Sequence, residues 1–146
     1  MQIEIKLDDS CQETKIIILT DKITDEINEI FQKLSSAGPQ MIMGFRENNA
    51  EILEPSGIIR IYASAGKVFA VTDRGEYVLR LRIYELEERL DKNYFIRISN
   101  SEIVNLQKVK GFDLSFSGTI YISLSDGTAA YVSRRYVARI KQILGI

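Results

Sequence analysis

The sequence predicts a mostly β protein, α+β overall. Two observations carry this. From Ile58 onward, short runs rich in β-branched and aromatic residues recur, with turn residues roughly every eight to twelve positions, the pattern of a strand-rich domain. Before that point, Ile23, Ile27, Ile30, Phe31 and Leu34 trace one stripe of a 3.6-residue period, which marks a helix and gives the front of the chain more α character.

The elements follow in order. Ile3, Ile5 and Leu7 alternate with polar residues, as in a half-buried strand, and the β-branched run Ile16–Leu19 reads as a second strand beyond a turn over Asp8–Gln12. The helix comes next, with Asp21 or Thr24 as its cap and Asp25 and Glu26 in its electropositive first turn. Gly38 and Pro39 cannot continue it. Met41–Phe45 reads as a strand, followed by a turn at Glu47–Ala50. Pro55–Gly57 is the expected boundary, which divides the chain into a small α/β segment, 1–54, and a β domain, 55–146.

Within the second part, strands are expected at Ile58–Tyr62, Val68–Thr72, Glu76–Leu81, Phe95–Ile98, Ile103–Asn105, Val109–Phe116, Thr119–Leu124 and Ala129–Val132. Asp73-Arg74-Gly75, Ser117-Gly118 and Asp126-Gly127 supply the tight turns. Two short helices complete the set. One spans Arg82–Leu90 with Ile83, Leu86 and Leu90 on one side. The other is capped by Ser133 and buries Val137, Ile140 and Leu144.

Composition excludes much chemistry. The chain has no histidine and one cysteine, Cys11, so Ser–His and Cys–His catalysis, an internal disulfide and any histidine-containing metal site are out. The acidic residues fall on helix faces, Asp25, Glu26 and Glu29 or Glu85, Glu87 and Glu88, as solvated surface does. No Gly-rich phosphate loop of Walker or Rossmann form is present. Neither an enzyme nor a cofactor or metal is therefore expected. Met1–Leu7 lacks the apolar centre of a signal peptide and no apolar run reaches the roughly 20 residues of a membrane span, so the expected location is the cytoplasm.

Charge is divided along the chain. Residues 1–55 hold 5 basic and 11 acidic side chains, net −6, whereas residues 56–146 hold 14 and 9, net +5. Such asymmetry points to a polyanion meeting the second part, either duplex DNA or an acidic protein. Three places between elements could present polar groups to it. They are Ser64–Lys67, the run Arg97-Ile98-Ser99-Asn100-Ser101, and Ser133-Arg134-Arg135-Tyr136 at a helix start. Arginine suits guanine in the major groove, asparagine suits adenine or mixed edges, and a helix N-terminus suits phosphate.

The combination is more specific than its parts. Tyr94-Phe95-Ile96-Arg97-Ile98-Ser99-Asn100-Ser101-Glu102-Ile103-Val104-Asn105 resembles the signature of the LytTR family, as do Leu124-Ser125-Asp126-Gly127 and Val132-Ser133-Arg134-Arg135-Tyr136. Upstream, Tyr77–Leu81 and Leu86–Leu90 look like that family's strand and short helix. One departure is visible: Ser99 stands where the family usually has histidine, and Asn100 where arginine is common. The resemblance implies an elongated domain of small antiparallel sheets whose loops enter successive major grooves. Carried over position by position, it makes Lys67, Asn100 and Arg135 the base-contacting residues and Ser101, Ser133, Arg134 and Arg139 the phosphate-contacting ones. It further implies a bacterial transcriptional regulator without a receiver domain, a homodimer on paired direct repeats in promoter DNA, and a small membrane inhibitor protein encoded nearby.

Overall fold

The computed structural model describes residues 1–35, 41–115 and 117–146. They form two compact units, Met1–Gly38 and Pro39–Ile146.

The first unit contains one helix, α1 (Asp25–Ser35). Its start is set as expected: Thr24 Oγ1 accepts the Ile27 N–H at 3.3 Å, and Asp25 and Glu26 lie in the first turn. Gly38 and Pro39, expected to stop it, lie outside the described residues. The expected strands at Ile3–Leu7 and Ile16–Leu19 are not formed. Neither segment joins a ladder, and Ile3, Ile5, Leu7 and Leu19 are at least 84% exposed. Alternation specifies a face to be buried and a strand also needs a hydrogen-bonding partner, which neither segment finds here.

The second unit is built on a seven-stranded antiparallel sheet and a three-stranded one. The large sheet contains β1 (Ile42–Arg46), β2 (Asn49–Leu53), β3 (Ile58–Ser64), β4 (Lys67–Thr72), β5 (Gly75–Leu79), β6 (Phe95–Ser99) and β7 (Glu102–Asn105). Their spatial order is β2-β1-β5-β4-β3-β7-β6. The small sheet pairs β8 (Val109–Asp113), β9 (Tyr121–Leu124) and β10 (Ala129–Tyr131) in the order β10-β9-β8. Phe116, expected to end a strand, lies outside the described residues. Residues 42–53, expected on the N-terminal side of the boundary, form a hairpin that joins the large sheet through Phe45 opposite Val78. β2 is a strand that the sequence reading did not include, and it takes in Asn49 and Ala50 from the turn expected at Glu47–Ala50.

Helices α2 (Ile83–Arg89) and α3 (Arg134–Leu144) sit where the apolar spacing places them. α2 buries Ile83, Leu86 and the following Leu90 in a core with Ile42, Leu53, Ile58, Ile61, Tyr77 and Ile103. A second core gathers Ile59, Ile96, Ile98 and Val104 with Ile120, Ile122, Leu124 and Val132, and Ile140 of α3 closes it. Neighbouring residues of β3, β6 and β7 thus feed different cores, Ile58 and Ile59, Phe95 and Ile96, Ile103 and Val104. These strands are apolar on both faces and carry no simple alternation.

Asn105 is the one buried polar side chain in the described core. Its Nδ2 donates to the Ile58 carbonyl at 2.8 Å and its Oδ1 accepts from the Gln107 N–H at 3.0 Å. The amide thereby ties the end of β7 to the start of β3 and caps the short 3-10 turn Leu106–Lys108.

Candidate nucleic-acid interface

Three loops of the second unit gather at one end of the sheet. The β3–β4 turn is two residues long, and both of them, Ala65 (φ 52°) and Gly66 (φ 78°), lie in the left-handed region that such hairpins require. Lys67 follows as the first residue of β4 and is exposed. The β6–β7 turn carries Asn100 and Ser101, also exposed. It stands beside the first turn, because Ala63 N–H donates to the Ser101 carbonyl at 2.8 Å. The start of α3 is joined to the same end by the Ser133 N–H, which donates to the Ile98 carbonyl at 2.9 Å.

Local devices shape the middle loop. The register of β6 against β7 slips between Arg97 and Ser99, so Ile98 is an extra residue that turns into the second core. Ser99 Oγ accepts the Ser101 N–H at 3.2 Å and lies 3.4 Å from Ser101 Oγ. Arg97 runs under the loop. Its Nε donates to the Ser99 carbonyl at 3.1 Å and its Nη2 to the Asn100 carbonyl at 2.8 Å. Glu87 of α2 holds the far side of that guanidinium at 3.6 Å. Asn100 itself is tethered through its side chain: Tyr136 Oη donates to Asn100 Oδ1 at 2.9 Å.

The expected site residues therefore fall into groups. Lys67, Asn100, Ser101, Ser133 and Arg135 belong to the three converging loops. Lys67 and Arg135 have no hydrogen-bond or ion-pair partner among the described residues. Arg134 turns toward Gly118 and, with Lys141, Ser117, Val137 and Ala138, lines an open basic groove beside α3. Arg139 is half-exposed, with its Nη1 4.0 Å from Glu87 Oε2, so its charge is partly offset. Ser133 occupies the N-cap position with extended backbone, but its hydroxyl makes no capping bond, contrary to expectation. Its backbone N–H is taken by Ile98, which orients the helix start instead.

Beneath the loops, Arg60 Nε pairs with Glu102 Oε2 at 3.2 Å, across β3 and β7. Burial pushes the Glu102 carboxyl above the usual carboxylate range, while the Arg60 charge pulls it back. Glu87, read from the sequence as solvated helix surface, is instead largely covered and paired with Arg97 and Arg139. Arg97 and Tyr136 stand within the quoted motifs, but sequence reasoning gave them no contact, because pairings over ten and 36 residues leave no local periodicity to read.

The folded arrangement, with its three loops and a buried Val-Asn motif, is that of a known class of mostly β DNA-binding domain. Residues 48–145 match the family described as the LytTr DNA-binding domain. The chain belongs to that family, which is defined by DNA binding and not by an enzymatic activity. It is similar in fold to the LytTr DNA-binding domain of a protein described as a methyl-accepting/DNA response regulator from Bacillus cereus, with a TM-score of 0.72 and 22% identity over 75% of this chain and 100% of that one. It is also 31% identical to an uncharacterised HTH-type transcriptional regulator of Staphylococcus aureus strain NCTC 8325 / PS 47, over 100% of this chain and 99% of the relative. A counterpart in strain MSSA476, described in the same words, is 33% identical over 92% of this chain and 91% of its own length.

Proposed function

We propose that the chain is a sequence-specific transcriptional regulator that inserts the loops around Lys67, Asn100 and Arg135 into successive major grooves of duplex DNA. The observation that carries this is the convergence of those loops at one end of the sheet, with Lys67 and Arg135 unneutralised by any described neighbour. The names of the full-length staphylococcal relatives support the regulatory part. No two of the three helices among the described residues are consecutive elements, which favours reading by loops.

In this reading Arg135 makes a bidentate contact with guanine, and Ser101, Ser133, Arg134 and Arg139 meet phosphates. The first unit joins two copies on paired direct repeats of a promoter. Its exposed Ile3, Ile5, Leu7, Ile23 and Phe31 are the surface for that contact, and a small membrane inhibitor would act by covering it. The protein works in the cytoplasm, and no helix among the described residues is long and apolar enough to cross a membrane.

Selection of duplexes from a randomised library by the full chain tests the function. Enrichment of one motif, bound more tightly than random duplex and weakened steeply by salt, is expected. Equal binding of all duplexes, or none at any salt, refutes it. An acidic protein partner would give the latter result.

A further inference from the structure

We infer that Tyr136 is a specificity-determining positioning residue, whose hydroxyl fixes the Asn100 amide so that Asn100 offers DNA a donor and selects guanine over adenine. The inference rests on the DNA-reading function proposed above and goes beyond it in assigning an orientation and a base.

The chemistry follows from one contact. Tyr136 Oη donates to Asn100 Oδ1 at 2.9 Å. The amide is planar, so its oxygen is turned toward α3 and its Nδ2 faces away. Among the described residues nothing accepts from that Nδ2. Asparagine reads adenine by using both ends, accepting from N6 and donating to N7. With the oxygen engaged, the outward group is an NH₂ donor. The strongest acceptor edge in the major groove is guanine, with O6 and N7 side by side.

The surroundings hold the turn that carries this amide. Both carbonyls of the turn, Ser99 and Asn100, accept from Arg97, so the backbone beneath the amide cannot swing freely. Arg97 is in turn held by Glu87, and Glu87 Oε2 lies 4.0 Å from Arg139, one turn beyond Tyr136 on α3. The contacts close a ring from α3 through the loop to α2 and back to α3. Arg135 is the residue before Tyr136, so the middle and third readers share one support.

The test uses the full chain and duplexes from the selected motif, with each position replaced in turn by every base pair. Asn100→Ala identifies the position that Asn100 reads, as the one whose preference flattens. Tyr136→Phe, which removes only the hydroxyl, should lower affinity for the selected duplex about threefold to tenfold, the net worth of one hydrogen bond. It should act at that same position, narrowing the guanine preference over adenine and leaving other positions unchanged. The double variant should lose no more than Asn100→Ala alone. A merely structural role for Tyr136 would weaken all duplexes alike, and that result overturns the inference. So does an unaltered guanine-to-adenine ratio in Tyr136→Phe, or an Asn100→Ala protein with every preference intact. In these cases the selected motif still stands and DNA reading survives. If the wild-type chain selects no motif, the function and this inference fall together.

Discussion

Replacing Asn105 by alanine should destabilise the second unit. The side chain is fully buried and makes two hydrogen bonds, to the Ile58 carbonyl and from the Gln107 N–H. Alanine leaves the Ile58 carbonyl without this donor in a buried place, at about 1–3 kcal/mol. Gln107 is exposed, so water can replace its lost acceptor and about 0.5–1 kcal/mol is a fair share there. The expected total is about 1.5–4 kcal/mol, or roughly 6–16 °C in the thermal midpoint for a unit of this size. Urea unfolding followed by far-UV circular dichroism measures it, as a lower midpoint with an unchanged slope. Asn105→Asp keeps the acceptor but sets a carboxylate against a carbonyl, so at neutral pH its loss should be at least as large. A change below about 0.5 kcal/mol for both variants would refute the reasoning, since it would mean that neither bond is worth its desolvation.

Three further outcomes are expected. Arg135→Ala should cost about 1–3 kcal/mol on the selected duplex and much less on scrambled DNA, whereas Arg139→Ala should weaken both alike; titrations of both variants on both duplexes check this, and equal losses for Arg135→Ala would show that it positions without reading. A fragment 41–146 should unfold cooperatively, while 56–146 loses the buried Ile42 and Leu53, about 3–6 kcal/mol together, and with them the Tyr77–Glu51 hydrogen bond; matching urea midpoints would show that the hairpin contributes nothing. The raised carboxyl of Glu102 binds its proton more tightly in the folded state, so its stabilising contribution is present below the ordinary carboxylate range and fades as pH rises through the raised value. Relative to Glu102→Gln, the wild type should therefore lose stability as pH rises above the ordinary carboxylate range, and a difference flat with pH contradicts this.

The strands around the interface were legible because Asp73-Arg74-Gly75, Asp126-Gly127 and the aromatic and β-branched runs between them are local signals, and the folded segments begin and end within a residue or two of them. α2 and α3 were legible for the same reason, with Ile83, Leu86, Leu90 and Ile140 buried as their spacing requires. Pairing was less so. Ile3–Leu7 has the pattern of a strand and no partner among the described residues, while Asn49 and Ala50, expected in a turn, acquire a strand's ladder from β1. The positions of Lys67 at a hairpin, Asn100 in a turn and Arg135 at a helix start could be read. That Tyr136 reaches Asn100 across 36 residues could not, because only the completed fold brings α3 beside the β6–β7 turn. Ser133 shows a local rule yielding to the tertiary frame: it stands where a cap should, and its backbone serves the sheet instead.

Strands buried on both faces have a weakness that half-exposed strands lack. A one-residue slip normally throws apolar side chains into water, and that penalty fixes the alignment. In β3, β6 and β7 a slip would exchange Ile58 for Ile59, Phe95 for Ile96 or Ile103 for Val104, one hydrocarbon for another. At those pairs hydrophobicity discriminates little, and the penalty comes from Arg60, Arg97 and Glu102, which a slip carries toward the places of buried isoleucines. Asn105 adds a directional term, because only one alignment sets its amide against the Ile58 carbonyl. Its partner strand carries the Lys67 turn at the far end and its own strand begins at the Asn100 turn, so this single polar bond works as a ruler. It sets how far the Lys67 turn stands above the Asn100 turn and, on the DNA-reading function proposed above, the spacing of the bases they touch together.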